Sequence, residues 1–290
     1  MVRIFDLKGN AQRLDGGAMF GNVPRALWSR WHRPDDEGRV LVACRAMLVD
    51  EGNRKLLFDT GVGAFFEPAL RARYGVESPR HELLVALEAL GLDDASIDVV
   101  VLSHLHFDHA GGLLQAHREG AAPELLFPRA RFLVTQDAFE RARAPHSRDR
   151  ASFIPALPAL LEASGRLELV GAETATACLG ERYRLRQTEG HTPGMLHTTV
   201  LGDREQLFFG ADLVPGMAWV HLPMTMGYDR CAERVVDEKA AIYETLTDRA
   251  SWLFFTHDPE VCVARLTRGE GGRWCGSDAR ATLGTGWELG

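Results

Sequence analysis

The feature that most constrains this chain is a group of metal-binding side chains within one short stretch. Residues 97–102 form an apolar run that predicts a buried strand, and the run leads directly into the sequence Ser-His-Leu-His-Phe-Asp-His-Ala-Gly-Gly. Residues two apart in an extended segment point the same way, so His104 and His106 can reach one ion together. Asp108 and His109 follow as the chain turns, and they can face a neighbouring ion.

The residue types and the two glycines that follow also favour a metal site. Imidazole and carboxylate groups suit zinc, iron, manganese or cobalt. Gly111 and Gly112 permit a tight turn and a close approach of the backbone to the site. A polar loop would explain one histidine of this kind, but three histidines and an aspartate at this spacing favour metal binding.

Three later segments supply further candidate ligands. His191 lies in a Gly/Pro turn, and Asp212 and His257 each leave an apolar strand. Each residue alone would suit an ordinary turn or a helix cap. Together they place three more ligands at strand ends, in loops that can converge on one face of a pair of sheets.

Apolar periodicity and turn residues predict alternating strands and helices. An Arg/Pro/Ser-rich loop over 143–158 is a candidate lid. Two packed sheets with helices outside would satisfy the pattern. The predicted strands are 39–50, 54–58, 97–102, 131–135, 166–170, 182–188, 196–201, 206–210, 252–256 and 261–267, and the predicted helices are 79–90, 136–143, 156–164 and 230–247.

Composition limits the partners and the compartment. The 290 residues are 46% hydrophobic and 25% charged with a net charge of −7, and no basic run offers a footprint for nucleic acid. Five scattered cysteines without a CxxC pair predict a reduced protein, so the expected location is cytoplasmic. No stretch reaches the roughly 18 apolar residues that a membrane span needs. A small-molecule substrate is therefore expected.

The order of these residues resembles the metallo-β-lactamase superfamily, whose His-x-His-x-Asp-His motif is followed by a Gly-His turn, an Asp and a His. Asp59-Thr60-Gly61 resembles the leading motif of that family. The resemblance covers about residues 40–260. It implies an α+β fold, an αββα sandwich of two mixed β-sheets flanked by helices, in a single domain over residues 1–290.

The resemblance also implies a cofactor, two divalent metal ions, with zinc favoured and iron, manganese or cobalt as alternatives. Asp59 corresponds to a residue that orients a ligand. The implied ligands are His104, His106 and His191 for the first ion, Asp108, His109 and His257 for the second, and Asp212 as the bridge.

These residues predict a hydrolytic mechanism. A hydroxide bridging the two ions would attack a carbonyl carbon or a phosphorus, and one ion would stabilise the oxyanion. Asp108 or Asp212 would serve as the catalytic group that handles the proton. The sequence contains no Gly-x-Ser-x-Gly segment for a serine nucleophile.

The branch of the superfamily is suggested by local likeness. Residues 14–21, 103–112 and 190–195 resemble acyl-homoserine lactonases and the related organophosphate hydrolases. Zinc β-lactamases that destroy antibiotics commonly have Cys at the position of Asp212, which argues against that activity. Some lactonases carry a Tyr three residues after the bridging Asp, where this chain has Pro215.

The predicted function is therefore a lactonase or esterase acting on a small hydrophobic substrate, with promiscuity toward phosphotriesters. The alternatives are an iron-dependent redox enzyme, such as a thiol dioxygenase, on the same fold, and a non-catalytic scaffold. Tyr228 is the candidate replacement for the lactonase Tyr.

An N-terminal loop segment over about residues 1–38 is expected to contribute to a substrate pocket or to a dimer contact. Homodimers are common in the related branch, so the resemblance implies a homodimer. The histidines at 81, 117 and 146 are predicted surface residues. The candidate pocket residues are Phe20, Trp28, Trp219, His221 and Tyr228. The alternative is a packed N-terminal loop or a dimer contact for the first two, and core packing for the other three.

Overall fold

The computed structural model of the chain describes residues 2–171 and 178–290. The chain divides into two compact units. Unit 1 comprises Met1–Gln12, Ala43–Gly171 and Gly284–Glu288, and unit 2 comprises Arg13–Val42, Ala172–Leu283 and Leu289–Gly290. That the whole chain forms one domain stays a prediction.

Strands and helices follow one another irregularly along the described residues. The strands are β1 (Arg3–Lys8), β2 (Gln12–Asp15), β3 (Arg39–Val42), β4 (Arg45–Asp50), β5 (Lys55–Phe58), β6 (Val99–Val101), β7 (Arg131–Thr135), β8 (Leu167–Val170), β9 (Tyr183–Thr188), β10 (Met195–Leu201), β11 (Glu205–Phe209), β12 (Ala250–Phe254), β13 (Val263–Arg268), β14 (Trp274–Arg280) and β15 (Trp287–Glu288). The helices include α1 (Gly16–Phe20), α2 (Arg25–Trp28), α3 (Pro68–Arg73), α4 (Glu82–Ala89), α5 (Phe107–Ala110), α6 (Gln136–Arg143), α7 (Leu157–Ala163) and α8 (Ala232–Thr245).

Unit 1 is built on a mixed sheet of seven strands in the order β15-β1-β4-β5-β6-β7-β8. The strands from β5 to β8 are parallel, and the pairs β1–β4 and β4–β5 are antiparallel. All three valines of β6 are buried, as expected for a central strand of a parallel region. The unit 1 core combines this sheet with apolar residues of α4, α6 and α7, such as Leu83, Phe139 and Leu161.

Unit 2 is built on a second mixed sheet, of six strands in the order β14-β13-β12-β11-β10-β9. Only β11 and β12 are parallel neighbours in it. Strand β9 ends the order, and its Arg184 and Arg186 are exposed. With helices in both units, the predicted α+β class and the two mixed sheets are confirmed.

The hairpin predicted before residue 58 is present, but its first strand is divided. Gly52, at φ 86°, forms the turn between β4 and β5, and its N–H donates to Asp50 Oδ1 at 2.8 Å. The predicted strand 39–50 splits into β3, which pairs with β2, and β4, which joins the sheet of unit 1. The apolar pattern runs on across the break, so periodicity could not reveal it.

The prediction of a loop over residues 1–38 is wrong for much of that segment. Strand β1 pairs with β4 over its whole length, and β2, α1 and α2 follow. Strand β1 buries Ile4, Phe5 and Leu7, but a six-residue strand at the start of the chain gives a weak signal. No helix among the described residues has the length and apolar character to cross a membrane.

His81 is buried rather than at the surface, and it joins α4 to the glycines after the histidine motif. Its Nδ1 accepts from Leu84 N–H at 3.4 Å as the N-cap of α4, and its Nε2 lies 3.1 Å from Gly112 O. Only the neutral Nε2–H tautomer can accept at Nδ1 and donate from Nε2. Burial lowers the pKa of His81 below its ordinary 6.5, and the hydrogen bond to Gly112 opposes that shift.

We predict that this histidine makes stability fall on acidification. Because its folded pKa lies below 6.5, the unfolded chain binds more protons, and stability is lost as the pH falls below that value. The free energy of unfolding that this one group contributes falls by at most about 1.4 kcal/mol per pH unit. His81→Asn keeps an N-cap acceptor but cannot titrate, so its urea midpoint should fall less between pH 7.5 and 5.5 in the metal-free protein. The exposed His117→Asn is the control, and equal slopes for all three proteins would contradict this role of His81.

Candidate metal centre

In unit 1 the candidate residues lie where two neighbouring parallel strands end. Phe58, the last residue of β5, lies opposite Val101, the last residue of β6. The chain continues into Asp59 from the first strand and into His104 from the second. Asp59 N–H donates to Val101 O at 2.9 Å, which holds the two strand ends together. The carboxyl ends of parallel strands share an edge of the sheet, and the site residues of unit 1 lie there.

Asp59 is the hydrogen-bond centre of this edge and is fully buried. Its Oδ1 accepts from Ser103 N–H at 2.7 Å, and its Oδ2 accepts from Ser103 Oγ at 2.7 Å and from His109 Nδ1 at 2.8 Å. Ser103 Oγ in turn lies 3.0 Å from His104 Nδ1. A carboxylate only accepts, so His109 donates from Nδ1 directly, and His104 donates from Nδ1 through the serine. One carboxylate therefore leaves the Nε2 of two histidines available as ligands.

The geometry confirms that the first two histidines of the motif point the same way. His104 Nε2 lies 2.9 Å from His106 Nδ1, and both rings are buried. His106 is the extended residue before the one-turn helix α5, on which Asp108 and His109 lie. The distance from His109 Nε2 to Asp108 Oδ2 is 3.8 Å.

The two glycines after the motif are required by close packing. Gly111 has an ordinary helical φ of −67°, so no left-handed conformation explains it. A Cβ at Gly111 would collide with Val62 O, and one at Gly112 would collide with Thr60 O. The motif helix thus lies directly against the turn that follows Asp59.

Unit 2 uses the same arrangement at its own sheet edge. Phe209 at the end of β11 lies opposite Phe254 at the end of the parallel strand β12. The chain leaves these ends toward Asp212 and His257, and His257 Nε2 lies 3.0 Å from Asp212 Oδ1. His191 precedes β10, which runs antiparallel to β11, so it reaches the same edge from the other direction. His191 Nε2 lies 3.1 Å from Asp212 Oδ2.

His191 is oriented by a buried carboxylate that the sequence did not indicate. Asp229 Oδ1 accepts from His191 Nδ1 at 2.8 Å, and Asp229 Oδ2 accepts from Met226 N–H at 2.7 Å. Both ring and carboxylate are almost fully buried. Asp229 thus accepts from the Nδ1–H of His191, as Asp59 accepts from that of His109.

The donor set of unit 2 fits a divalent cation. A neutral His191 spends its one N–H on Asp229, so the Nε2 lone pair faces the Asp212 carboxylate. Two acceptors 3.1 Å apart repel each other in a buried site unless a proton or a cation lies between them. Buried imidazole nitrogens beside carboxylate oxygens match the ligands of zinc and its neighbours.

Helix α8 contributes a further residue that sequence reasoning missed. The Glu238 carboxylate accepts from Glu189 N–H at 2.8 Å and from Gly190 N–H at 3.0 Å, so it holds the turn directly before His191. Neither Glu238 nor Asp229 lies in a recognisable motif. No spacing signal in the sequence would have identified either residue.

Position 215, where lactonases can have a tyrosine, has a backbone role here. Pro215 O accepts from His257 N–H at 2.9 Å, and this bond places the last candidate ligand. Tyr228 has a 40% exposed side chain, and its role as a replacement stays a prediction.

The predicted aromatic pocket lining is wrong for three of its five residues. Phe20, Trp28 and Trp219 have exposures of 0%, 3% and 1%. Phe20 stacks on both tryptophans, with centroid distances of 5.4 and 4.6 Å, and the three rings form the centre of an apolar core in unit 2. Packing against one another removes these rings from solvent, so they do not line an open pocket. His221, by contrast, is exposed.

Each unit has an open cavity whose lining includes a residue adjacent in sequence to a candidate ligand. A cavity of about 460 Å³ in unit 1 borders Phe107 and Phe153, and Phe153 forms a β-bridge with His106. A cavity of about 590 Å³ in unit 2 borders Asp258, the residue after His257. Aromatic rings dominate the first cavity, whose lining includes Phe65, Phe66, Tyr74, Phe107 and Phe153.

Solved structures with this fold include several hydrolases. A probable metal-dependent hydrolase from Staphylococcus aureus is 22% identical, with a TM-score of 0.83 and coverage of 96% of this chain and 97% of that chain. AidC, a dizinc quorum-quenching lactonase in complex with a product, is 21% identical, with a TM-score of 0.72 and coverage of 96% and 95%. The hydrolase AbOPH of the β-lactamase superfamily is 19% identical, with a TM-score of 0.74 and coverage of 95% and 94%.

The sequence match and the structural likeness agree. The family model of the metallo-β-lactamase superfamily matches residues 39–257, about three quarters of the chain. Lactonases are among the structural neighbours, as the predicted branch implies. The chain therefore belongs to the metallo-β-lactamase superfamily and has its fold.

Proposed function

We propose that this chain is a metal-dependent hydrolase that cleaves a lactone or an ester of a small hydrophobic substrate, with phosphotriesters as secondary substrates. The observation that carries the proposal is the pair of buried clusters in which a carboxylate orients a histidine, Asp59 with His109 and Asp229 with His191. Such pairs orient metal-binding imidazoles and raise their basicity. A fold of this superfamily with both pairs present favours metal-assisted hydrolysis.

The proposed cofactor is two metal ions, with zinc as the favoured metal. AidC, a dizinc lactonase with a similar fold, supports this choice. Asp212 would contribute to both ions, since His191 Nε2 and His257 Nε2 lie 3.1 and 3.0 Å from its two different oxygens. The ligands of the first ion would be His104, His106 and His191, and those of the second Asp108, His109 and His257.

Two bound ions would supply Lewis acidity, lowering the pKa of water and polarising the oxygen of the substrate. Proton transfer would be carried out by side chains of this protein. Asp108 is 15% exposed and Asp212 is 7% exposed, so Asp108 is the carboxylate better placed to accept a proton from water and to pass it to the leaving alkoxide. Asp108 lies on helix α5 and Asp212 in the helical turn that follows β11, so regular structure positions both acids before the substrate arrives.

The aromatic cavity of unit 1 is proposed to bind the apolar part of the substrate. Its volume of about 460 Å³ falls in the range of small-molecule sites. Phe107 lies between His106 and Asp108 in the chain, so an apolar group in this cavity would be held next to the proposed centre. A lactonase and an N-acyl homoserine lactone hydrolase, each with an N-acyl-L-homoserine product bound, are among the neighbours, which supports an acyl substrate.

The first prediction concerns the reaction itself. The zinc-loaded chain should hydrolyse at least one class among lactones, aryl esters and phosphotriesters, and His106→Ala should lower both the metal content and the turnover because a ligand is lost. Metal analysis and a substrate panel measure both quantities. Oxygen consumption with a thiol and bound iron would instead support a redox enzyme. Hydrolysis of none of the three classes would refute the proposal.

The second prediction separates the two carboxylate anchors. Asp59→Asn and Asp229→Asn should each weaken zinc binding about 10- to 100-fold, because an amide cannot replace the charge that holds Nδ1–H. Competition with a chromophoric chelator measures the affinity. Asp98→Asn is the matched control, since Asp98 accepts from Lys55 N–H at the opposite end of β6. Affinities equal to that of the control would argue against the anchoring role.

The third prediction tests the substrate cavity. Phe66→Ala removes one aromatic wall, so KM for a long-chain acyl substrate should rise by roughly 5- to 50-fold through lost apolar burial. KM for a short-chain analogue should stay within about twofold. Leu169→Ala, at a 41% exposed position on β8, serves as the control. An equal change for both chain lengths would place the acyl group elsewhere.

A further inference from the structure

A lysine lies in the middle of the buried face of helix α8. The buried residues of this helix, Val235, Lys239, Ile242 and Tyr243, follow a single helical stripe. Lys239 is 0% exposed, although lysine is almost never fully buried unless its charge is compensated. An apolar side chain would fit such a stripe with less desolvation cost, so the ammonium group calls for a specific explanation.

The ammonium group of this lysine donates hydrogen bonds to one loop, residues 219–229. Its Nζ donates to Trp219 O at 3.0 Å and to Met224 O at 2.6 Å. Burial lowers the pKa of Lys239 to about 7, and the negative charge of Asp229 opposes that fall. The ammonium is thus attracted by the carboxylate that accepts from His191 Nδ1.

The backbone next to Asp229 is also tied to the histidine, since Arg230 N–H donates to His191 O at 3.2 Å. Met226 N–H donates to Asp229 Oδ2. Two residues before Met226, the carbonyl of Met224 accepts from Lys239 Nζ. The neighbouring helix residue, Glu238, holds the backbone before His191 from the same helix. Helix α8 therefore contacts both the turn that carries the histidine and the loop that carries its acceptor.

We propose that Lys239 is a positioning residue for His191, holding residues 219–229 so that Asp229 keeps the imidazole in its Nδ1–H form. The assignment of His191 as a metal ligand rests on the proposed function, whereas the positioning itself does not need the metal. Nothing in this role requires Lys239 to contact substrate.

Tyr243 supplies a matched control on the same helix face, one turn further along. Its hydroxyl donates to Val220 O at 3.3 Å, so Tyr243→Phe also removes a bond from α8 to this loop. The electrostatic attraction between the Lys239 ammonium and Asp229 is kept in that variant. A general loosening of the loop would affect both variants, whereas positioning through Asp229 affects only Lys239→Met.

The test records long-range ¹H–¹⁵N spectra of the metal-free protein, with the His191 signals assigned from a His191→Gln variant. Wild type and Tyr243→Phe should show His191 protonated at Nδ1, and Lys239→Met should show a mixture of tautomers. Zinc affinity, measured with a competing chelator, should fall about 10- to 100-fold in Lys239→Met and stay within about twofold in Tyr243→Phe.

An unchanged His191 tautomer in Lys239→Met would overturn the proposal, as would equal effects of the two variants. If Lys239→Met does not fold, Lys239→Gln carries the same test, because its amide keeps a donor but loses the charge. A wild-type chain that binds no zinc would refute the proposed function alone, since the tautomer comparison in metal-free protein still decides the role of Lys239.

Discussion

A hydrogen bond from a buried imidazole Nδ1 to a buried carboxylate organises the candidate ligands of each unit. In unit 1 the acceptor is Asp59, and in unit 2 it is Asp229. The bond settles which nitrogen keeps its proton, and so which nitrogen is left to act as a ligand. The surrounding backbone is arranged to keep these acceptors in place: Asp59 has a left-handed φ of 54°, which costs a residue other than glycine on the order of 1 kcal/mol.

The sheets explain why such bonds can form between residues far apart in the chain. Each unit places a pair of neighbouring parallel strands, β5 with β6 or β11 with β12, so that their carboxyl ends coincide. Strand pairing fixes the register to a single residue. The residues that directly follow the strands are therefore placed with the same precision. Asp212 and His257 are 45 positions apart in sequence numbering, yet the register of two phenylalanines brings their side chains into contact.

The sequence allowed the ligand candidates to be predicted because each carries a local signal, either the dense motif after β6 or a polar residue directly after an apolar strand. Asp229, Glu238 and Lys239 carry none, because their roles depend on tertiary neighbours. The helix from 230 to 247 was predicted with nearly correct bounds, but a lysine within it is ordinarily assigned to solvent. Strand β1 was missed because short terminal strands are stabilised by pairing rather than by propensity.

Strand β9, the last in the order of the unit 2 sheet, bears on how copies of this chain meet. An uncovered strand edge offers hydrogen-bonding groups to any extended chain, and charged side chains are a common protection against such pairing. Arg184 and Arg186 both face solvent on β9. Among the described residues, antiparallel pairing of two copies that places Arg184 opposite Arg186 would bring like charges together. Such pairing of β9 with a second copy is therefore disfavoured.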